Sequence, residues 1–170
     1  MGKPFTVQLM RSMPYPSTWF LVYIAGSTSP SALVSKVSGG FKRSTDVIEY
    51  KEGGNPIILK GPGRTKYEPI TLERGVTQDT DFMNWANSVQ VLDKGSPNAS
   101  LKALRQNLRI DLLREDLVPV KRFYIYRAWP SEYQALPDLD AGTNAVAIEH
   151  LKLENEGWAQ DLTLPEPPET

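Results

Sequence analysis

Trp19-Phe20-Leu21-Val22-Tyr23-Ile24 is an unbroken run of large apolar and aromatic side chains. Aromatic and β-branched residues suit a pleated, half-buried surface, so the run reads as a strand. Successive side chains of a strand point to opposite faces, which here sets Trp19, Leu21 and Tyr23 against Phe20, Val22 and Ile24. Both faces are apolar. A strand of a small antiparallel domain ordinarily leaves one face to water, so something must cover the second one, either a helix or another subunit.

Outward from that run, fourteen prolines and twelve glycines punctuate further apolar segments, as they do where strands are joined by turns. Val47-Ile48-Glu49-Tyr50 reads as a strand ended by Glu52-Gly53-Gly54-Asn55-Pro56. Ile57-Ile58-Leu59 follows and stops at Gly61-Pro62-Gly63, and Tyr67 to Glu73 alternates again with Pro69 at an edge or bulge. Asn107 to Leu113 and the aromatic-rich Val120 to Ala128 form a strand pair across Arg114-Glu115-Asp116. Pro130 and Pro137 make Trp129 to Gly142 a loop, and Asn144 to Leu153 is the last strand.

One helix interrupts this pattern. Phe82, Trp85, Ala86 and Val89 recur at i, i+3, i+4 and i+7, the spacing that lines one helical face. Asp79 or Thr80 can cap it by accepting a backbone N–H, which predicts a helix over Thr80 to Leu92. Pro97 to Gln106 carries both a helical and a strand period. The expected fold is therefore mainly β, a sandwich or barrel with one flanking helix. Its expected limits are 18–158, between an N-terminal arm, 1–17, and a Pro/Glu-rich tail, 159–170.

Length and composition agree with a folded domain. The chain has 170 residues, 40% hydrophobic and 23% charged, with a net charge of −1. Disorder over the whole length is ruled out, and the balanced charge leaves no footprint for nucleic acid or an anionic membrane. There is no cysteine, which removes disulfide scaffolds, thiolate metal sites and cysteine nucleophiles together. His150 is the only histidine, so multi-histidine metal sites go too. Trp19 to Ala25 is too short for a membrane span. The opening Met1-Gly2-Lys3-Pro4-Phe5 lacks the apolar stretch of a secretory signal, so cytoplasmic residence without a membrane anchor is expected, and any exit from the cell by another route.

The search for chemistry yields little. Gly61-Pro62-Gly63-Arg64-Thr65-Lys66 has neither P-loop spacing nor a following helix, and Pro62 removes an amide that a phosphate cradle would need. It reads as a connecting loop. Asp79 and Asp81 sit where a helix N-terminus favours acidic side chains, which explains them without a metal. Glu149 and His150 are strand neighbours and point to opposite faces. No GxSxG, SxxK or HExxH occurs. Trp85, Trp129 and Trp158 read as packing anchors. No catalytic, cofactor or metal residue is expected.

The order of several segments is distinctive. Val37-Ser38-Gly39-Gly40-Phe41 precedes Val47-Ile48-Glu49-Tyr50-Lys51-Glu52-Gly53-Gly54, then Gly61-Pro62-Gly63-Arg64-Thr65-Lys66-Tyr67 and Ile70-Thr71-Leu72-Glu73-Arg74-Gly75-Val76-Thr77. After the helix come Ala128-Trp129-Pro130-Ser131-Glu132-Tyr133, Asn144 to Leu151 and Glu154-Asn155-Glu156-Gly157. Over roughly residues 18 to 158 this series resembles the phage tail tube family, including the inner-tube proteins of phage-like contractile injection systems. It is similar also to the tube protein of type VI secretion. One departure is Lys60-Gly61-Pro62-Gly63, where the family often has Leu-Pro-Gly.

The resemblance implies a non-enzymatic, self-assembling subunit of a hollow inner tube. Six copies close a ring, rings stack inside a contractile sheath, and baseplate and cap proteins meet the ends. A cargo effector or phage genome would occupy the lumen, and the protein would end in a virion or injection particle. The loop from Gly53 to Thr65 matches the family segment that reaches towards adjacent subunits. The resemblance thereby nominates Glu49, Tyr50, Gly53, Gly54, Gly61, Gly63, Arg64 and Tyr67 as contact residues, with ordinary strand or turn duty as the alternative for each. A tube-end or baseplate adaptor of the same fold is a second reading. A small-molecule-binding β-barrel is a third.

Overall fold

The structure is a computed structural model. It describes residues 19–164 apart from 25, 40, 52, 55, 56, 94–99 and 138–145. The N-terminal arm, 1–17, and the tail beyond 164 lie outside the described residues, as do Asn144 and Ala145. In chain order the elements are β1 (Trp19–Ile24), β2 (Ala32–Val34), β3 (Lys36–Ser38), β4 (Arg43–Tyr50), β5 (Leu59–Tyr67) and β6 (Ile70–Gly75). The helices α1 (Asp81–Asp93) and α2 (Leu101–Leu104) follow, then β7 (Gln106–Leu113), β8 (Pro119–Gln134), β9 (Ile148–Glu154) and β10 (Gly157–Gln160).

One sheet runs β2-β1-β7-β8-β9-β6-β3, with β10 also on β8, and every pairing is antiparallel. Its two edge strands are separated by Ser35 alone, whose N–H donates to Glu73 O at 2.9 Å. The stretch Ala32 to Ser38 thus pairs with β1, changes partner at Ser35, and pairs with β6. This rolls the sheet into a barrel. β4 and β5 form a separate two-stranded hairpin.

Inward-facing residues follow the register. Val22 lies opposite Ile110 and Ala32, Leu72 opposite Leu151, and Ile70 opposite Leu153; all are buried. α1 contributes Phe82 and Trp85 to this interior, and the Trp85 indole N–H donates to Leu104 O at 3.2 Å. The helix therefore covers the inner face of the barrel. The second face of β1 stays outside: Trp19 and its neighbour Leu33 are exposed, and the Arg109 guanidinium stacks 3.6 Å above Tyr23. Asp111 faces the same way yet is buried, because Arg122 donates to both its oxygens at 2.8 and 3.0 Å. That pairing raises the Arg122 pKa.

The helix begins as capping predicts, since Asp79 Oδ1 accepts the Asp81 N–H at 3.0 Å. It starts and ends one residue later than expected. Several strand readings need correction. Tyr67 to Glu73 is two strands, because Pro69 has no amide to donate and Glu68 turns aside to give its N–H to Lys42 O. Gly39, with φ +85°, sits against this corner; a Cβ there would lie 2.1 Å from Pro69 O. Gly61-Pro62-Gly63 is the interior of β5, not a connecting loop, and of Ile57 to Leu59 only Leu59 belongs to the strand. Trp129 to Gln134 is not loop: β8 continues through Pro130 and exchanges β7 for β9 as partner. Proline is accepted where a register shift spares its amide. β9 is followed by a further strand, β10, in which Ala159 and Gln160 pair with Tyr124 and Phe123.

A buried ionic cluster ties α1 to the barrel. Arg74 and Glu149 are cross-strand neighbours on β6 and β9, both buried, and the Arg74 Nε donates to Glu149 Oε1. Its other nitrogens reach Asp79 Oδ2 at 2.8 Å and Asp79 O at 3.0 Å, and its plane lies 4.1 Å over Phe82. Tyr133 OH donates to Glu149 Oε2 at 3.1 Å. Burial opposes the Arg74 charge, but the hydrogen bonds to Asp79 and Glu149 outweigh it and the pKa rises. Removing one member of a buried pair strands the other, at about 3–5 kcal/mol. Glu149→Ala should lower unfolding free energy by that order in urea titrations. The Arg74 hydrogen bond, first among the causes, holds the Asp79 carboxyl below its ordinary 3.8. A depressed carboxyl contributes stability that is present above its unfolded-state pKa and lost as pH falls through the folded one. Asp79→Asn should therefore flatten the acid limb of the stability profile below about pH 4, read as urea midpoints against pH.

Candidate functional site

β4 and β5 stand apart from the barrel as a ribbon whose residues are mostly exposed on both faces. The register decides which side chains share a face. Ile48 lies opposite Gly61 and Tyr50 opposite Leu59 on one face; Val47 opposite Pro62 and Glu49 opposite Lys60 occupy the other. The first face is aliphatic and aromatic, with Tyr50 lying over Gly61 and Ile48 leaning across Gly63. On the second, Glu49 and Lys60 pair at 3.3 Å beside Val47. Thr45 and Thr65 share a hydrogen bond of 3.0 Å nearer the base.

Two steps along β4, from Thr45 to Val47, are matched by three along β5, from Thr65 to Pro62, so β5 carries the extra residue of a bulge. Gly63 lies in that bulge, and a Cβ there would come within 3.0 Å of Asp46 O and 3.1 Å of Ile48 Cγ1. This explains a glycine inside a strand. Pro62 is tolerated beside it because a two-stranded ribbon turns every second amide outward, where no ladder partner waits.

The base of the ribbon is fixed to the barrel. The Phe41 ring stacks on Phe123 at 4.2 Å between centroids and meets Trp158 edge-on at 5.8 Å. Tyr67 packs beside Gly157, and Asn155 Nδ2 donates to Glu68 O at 3.1 Å. The ribbon thus leaves the barrel at a defined angle instead of swinging on a loose linker.

All eight residues expected at a subunit contact fall on this element. Glu49 and Tyr50 end β4, Gly53 and Gly54 form the turn, Gly61, Gly63 and Arg64 lie in β5, and Tyr67 is at the base, turned towards the barrel. Sequence reasoning passed over the most exposed apolar groups of this hairpin: Val47 at 63% and Ile57 at 62%, with Ile48 and Ile58 beside them. The doublets Val47-Ile48 and Ile57-Ile58 were the available signal, since adjacent apolar residues load both faces of a ribbon. An apolar cluster this open marks an interaction site.

Among the described residues no group of three or more His, Cys, Asp or Glu side chains could hold a metal ion, and no helix is long and apolar enough to cross a membrane. What the ribbon offers, among the described residues, is unpaired strand edge and apolar surface, features suited to a protein partner.

The architecture is a barrel with a flanking helix and a separate two-stranded ribbon, and comparison supplies the family. Residues 16–159 match the T4-like virus tail tube protein gp19 family. The chain belongs to that family: it is a tail tube protein. Among solved structures it resembles a chain in the cryo-EM structure of the anti-feeding prophage baseplate, at 28% identity and TM-score 0.66, over 90% of this chain and 99% of that one. A chain in the sheath–tube complex of the PVC extracellular contractile injection system, in its extended state, aligns at 24% identity and TM-score 0.70, over 94% and 99%. A type six secretion system protein shares the fold at 10% identity and TM-score 0.52, over 85% and 83%. No protein of curated function matches in sequence.

Two substitutions test how the ribbon is held. Gly63→Val should disorder β4 and β5 while leaving the thermal midpoint of the barrel within about 0.5 kcal/mol equivalents of the parent, because the ribbon adds little to the core. Phe41→Ala should release the base and cost about 3–5 kcal/mol by opening the aromatic cluster. Hydrogen exchange resolved along the chain separates the two outcomes.

Proposed function

We propose that this chain is the subunit of a hollow inner tube of a contractile injection particle or phage tail. Copies close into six-membered rings and the rings stack. A sheath surrounds the stack, baseplate and cap proteins meet its ends, and a cargo effector or genome passes through the lumen. The role is structural rather than catalytic. Assembly takes place in the cytoplasm, and the product is part of a virion or injection particle.

The observation that carries this reading is the β4–β5 ribbon, with apolar side chains on both faces and both outer edges unpaired among the described residues. Family membership and the sheath–tube neighbour support it. Magnitudes say what kind of assembly follows. Burying a large apolar side chain is worth roughly 1.5–3 kcal/mol, so Val47, Ile48, Tyr50, Ile57 and Ile58 together supply on the order of 10 kcal/mol. Association costs about 4–15 kcal/mol in lost translational and rotational freedom. One ribbon contact is therefore marginal alone, and closed rings, in which every copy both gives and receives contacts, are the arrangement that gains most. The exposed second face of β1, with Trp19 and Leu33, is available for the further contacts a ring needs.

A tube-end or baseplate adaptor of the same fold is a second reading, favoured by the likeness to chains in a baseplate and in a tube-terminating cap, the latter at 22% identity and TM-score 0.69. Negative-stain microscopy beside light scattering distinguishes the two. Stacked rings or hollow filaments are expected of the tube subunit, and single rings that never stack of the adaptor. The double variant Ile48→Asp/Ile58→Asp should remain monomeric with an unchanged circular dichroism spectrum. A parent protein that stays monomeric even with its baseplate components present would overturn both readings.

A further inference from the structure

A cavity of about 330 Å³ opens between the start of α1 and the strand ends beside it. Ile24, at the end of β1, and the Trp85 ring form its apolar walls. Its polar lining comes from Ser31, from Asp81, Asn84 and Ser88 on α1, and from Gln106 at the start of β7. No described residue of the ribbon lines it. The volume falls in the range of small-molecule sites.

The hydrogen-bonding groups of this lining are lopsided. Its donors are largely spent within the chain. The Trp85 indole N–H goes to Leu104 O at 3.2 Å, the Ser88 hydroxyl to Trp85 O, the Asn84 amide Nδ2 to Thr80 Oγ1 at 3.2 Å, and the Ile24 N–H to Ser31 Oγ at 3.2 Å. Its acceptors are open. Among the described residues neither the Asp81 carboxylate nor Asn84 Oδ1 accepts a hydrogen bond, and Gln106 Oε1 is buried without a donor. Asp81 has no ion-pair partner among them either, since the Arg74 guanidinium is committed to Asp79 and Glu149. A buried acceptor left without a donor is costly, and folded proteins seldom keep one.

We propose that this cavity is a binding site for a primary alkylammonium group. Such a group brings three donors and no acceptor, the complement of open acceptors around one carboxylate. The ammonium donates to Asp81 and Asn84, and Gln106 Oε1 gains the partner it lacks. The methylenes lie on Ile24 and the Trp85 ring, and the face of an indole attracts a cation in its own right. An anionic ligand fits poorly, because Asp81 repels it and the donors it needs are already taken. A free amine and a lysine side chain of another polypeptide share the chemistry that the site selects. The site stands whether or not copies of the chain assemble.

Titration calorimetry of the full chain with n-butylammonium chloride tests the site. Saturable binding in the millimolar range is expected of so small a ligand. Asp81 is exposed, so Asp81→Asn should leave the circular dichroism spectrum unchanged while lowering the affinity about tenfold or more. Gln106→Leu should lower it severalfold. Neutral n-butanol and tetramethylammonium, which has no N–H, should not bind. Hydrogen exchange should slow along residues 81–88 when butylammonium is present and stay unchanged in β4 and β5. A parallel titration with Nα-acetyl-lysine N-methylamide identifies the source: binding there assigns the site to a lysine side chain, and binding of butylammonium alone assigns it to a free amine. The proposal is overturned if butylammonium gives no more heat than sodium chloride at equal ionic strength. Equal binding of butanol or tetramethylammonium, full affinity in Asp81→Asn, or protection confined to other elements overturns it as well.

Discussion

The β4–β5 ribbon has two strands, and a two-stranded sheet can neither bury both its faces nor pair its outer edges by itself. Every other part of the chain follows from how that element is carried. The barrel is complete without it: Ala32 to Ser38 joins both edges of the sheet, α1 lies over it, and Phe82, Trp85 and the strand residues facing them exclude water. A fold that satisfies itself in this way can hold out an unsatisfied element without unfolding. Phe41, stacked on Phe123, and Tyr67 beside Gly157 keep it at a set angle, so little orientation is lost when a partner arrives.

Two ionic clusters serve the barrel differently. Arg74 is buried with Glu149 beneath α1 and joins β6, β9 and the helix start through hydrogen bonds that leave none of its nitrogens idle. Asp111 is buried on the outside of the sheet, under Arg122 and close to Arg109 at 3.5 Å. A carboxylate placed there keeps an aromatic surface, with Tyr23 and Trp19, from being uniformly sticky. Only a partner that leaves Arg122 in place can cover it without stranding the charge.

The sequence made the barrel legible where patterns are local. Trp19 to Ile24 alternates into a strand, Phe82 to Val89 recurs at helical spacing, and Asp79 caps as its type and position suggest. It misled where proline and glycine were taken as stops. Pro62 and Pro130 lie inside strands, because the prohibition applies to amides needed in a ladder, and a ribbon edge or a register shift needs none there. Resemblance directs attention to the ribbon, with Glu49, Tyr50 and the glycines on it. The exposure of Val47, Ile48, Ile57 and Ile58 is not legible from the sequence, because apolar doublets read equally well as core strand.

The attachment of the ribbon at one end of β6 has a mechanical side. β5 leads into β6 across Glu68 and Pro69, and the six residues of β6, at about 3.4 Å each, span some 20 Å of extended backbone. A pull on the ribbon directed along that strand is shared by its six cross-strand pairs with β9, from Ile70–Leu153 to Gly75–Ile148. A strand pulled from its edge gives way one pair at a time; a seam loaded lengthwise must yield all at once. The barrel therefore resists a load along β6 more stiffly than one across it.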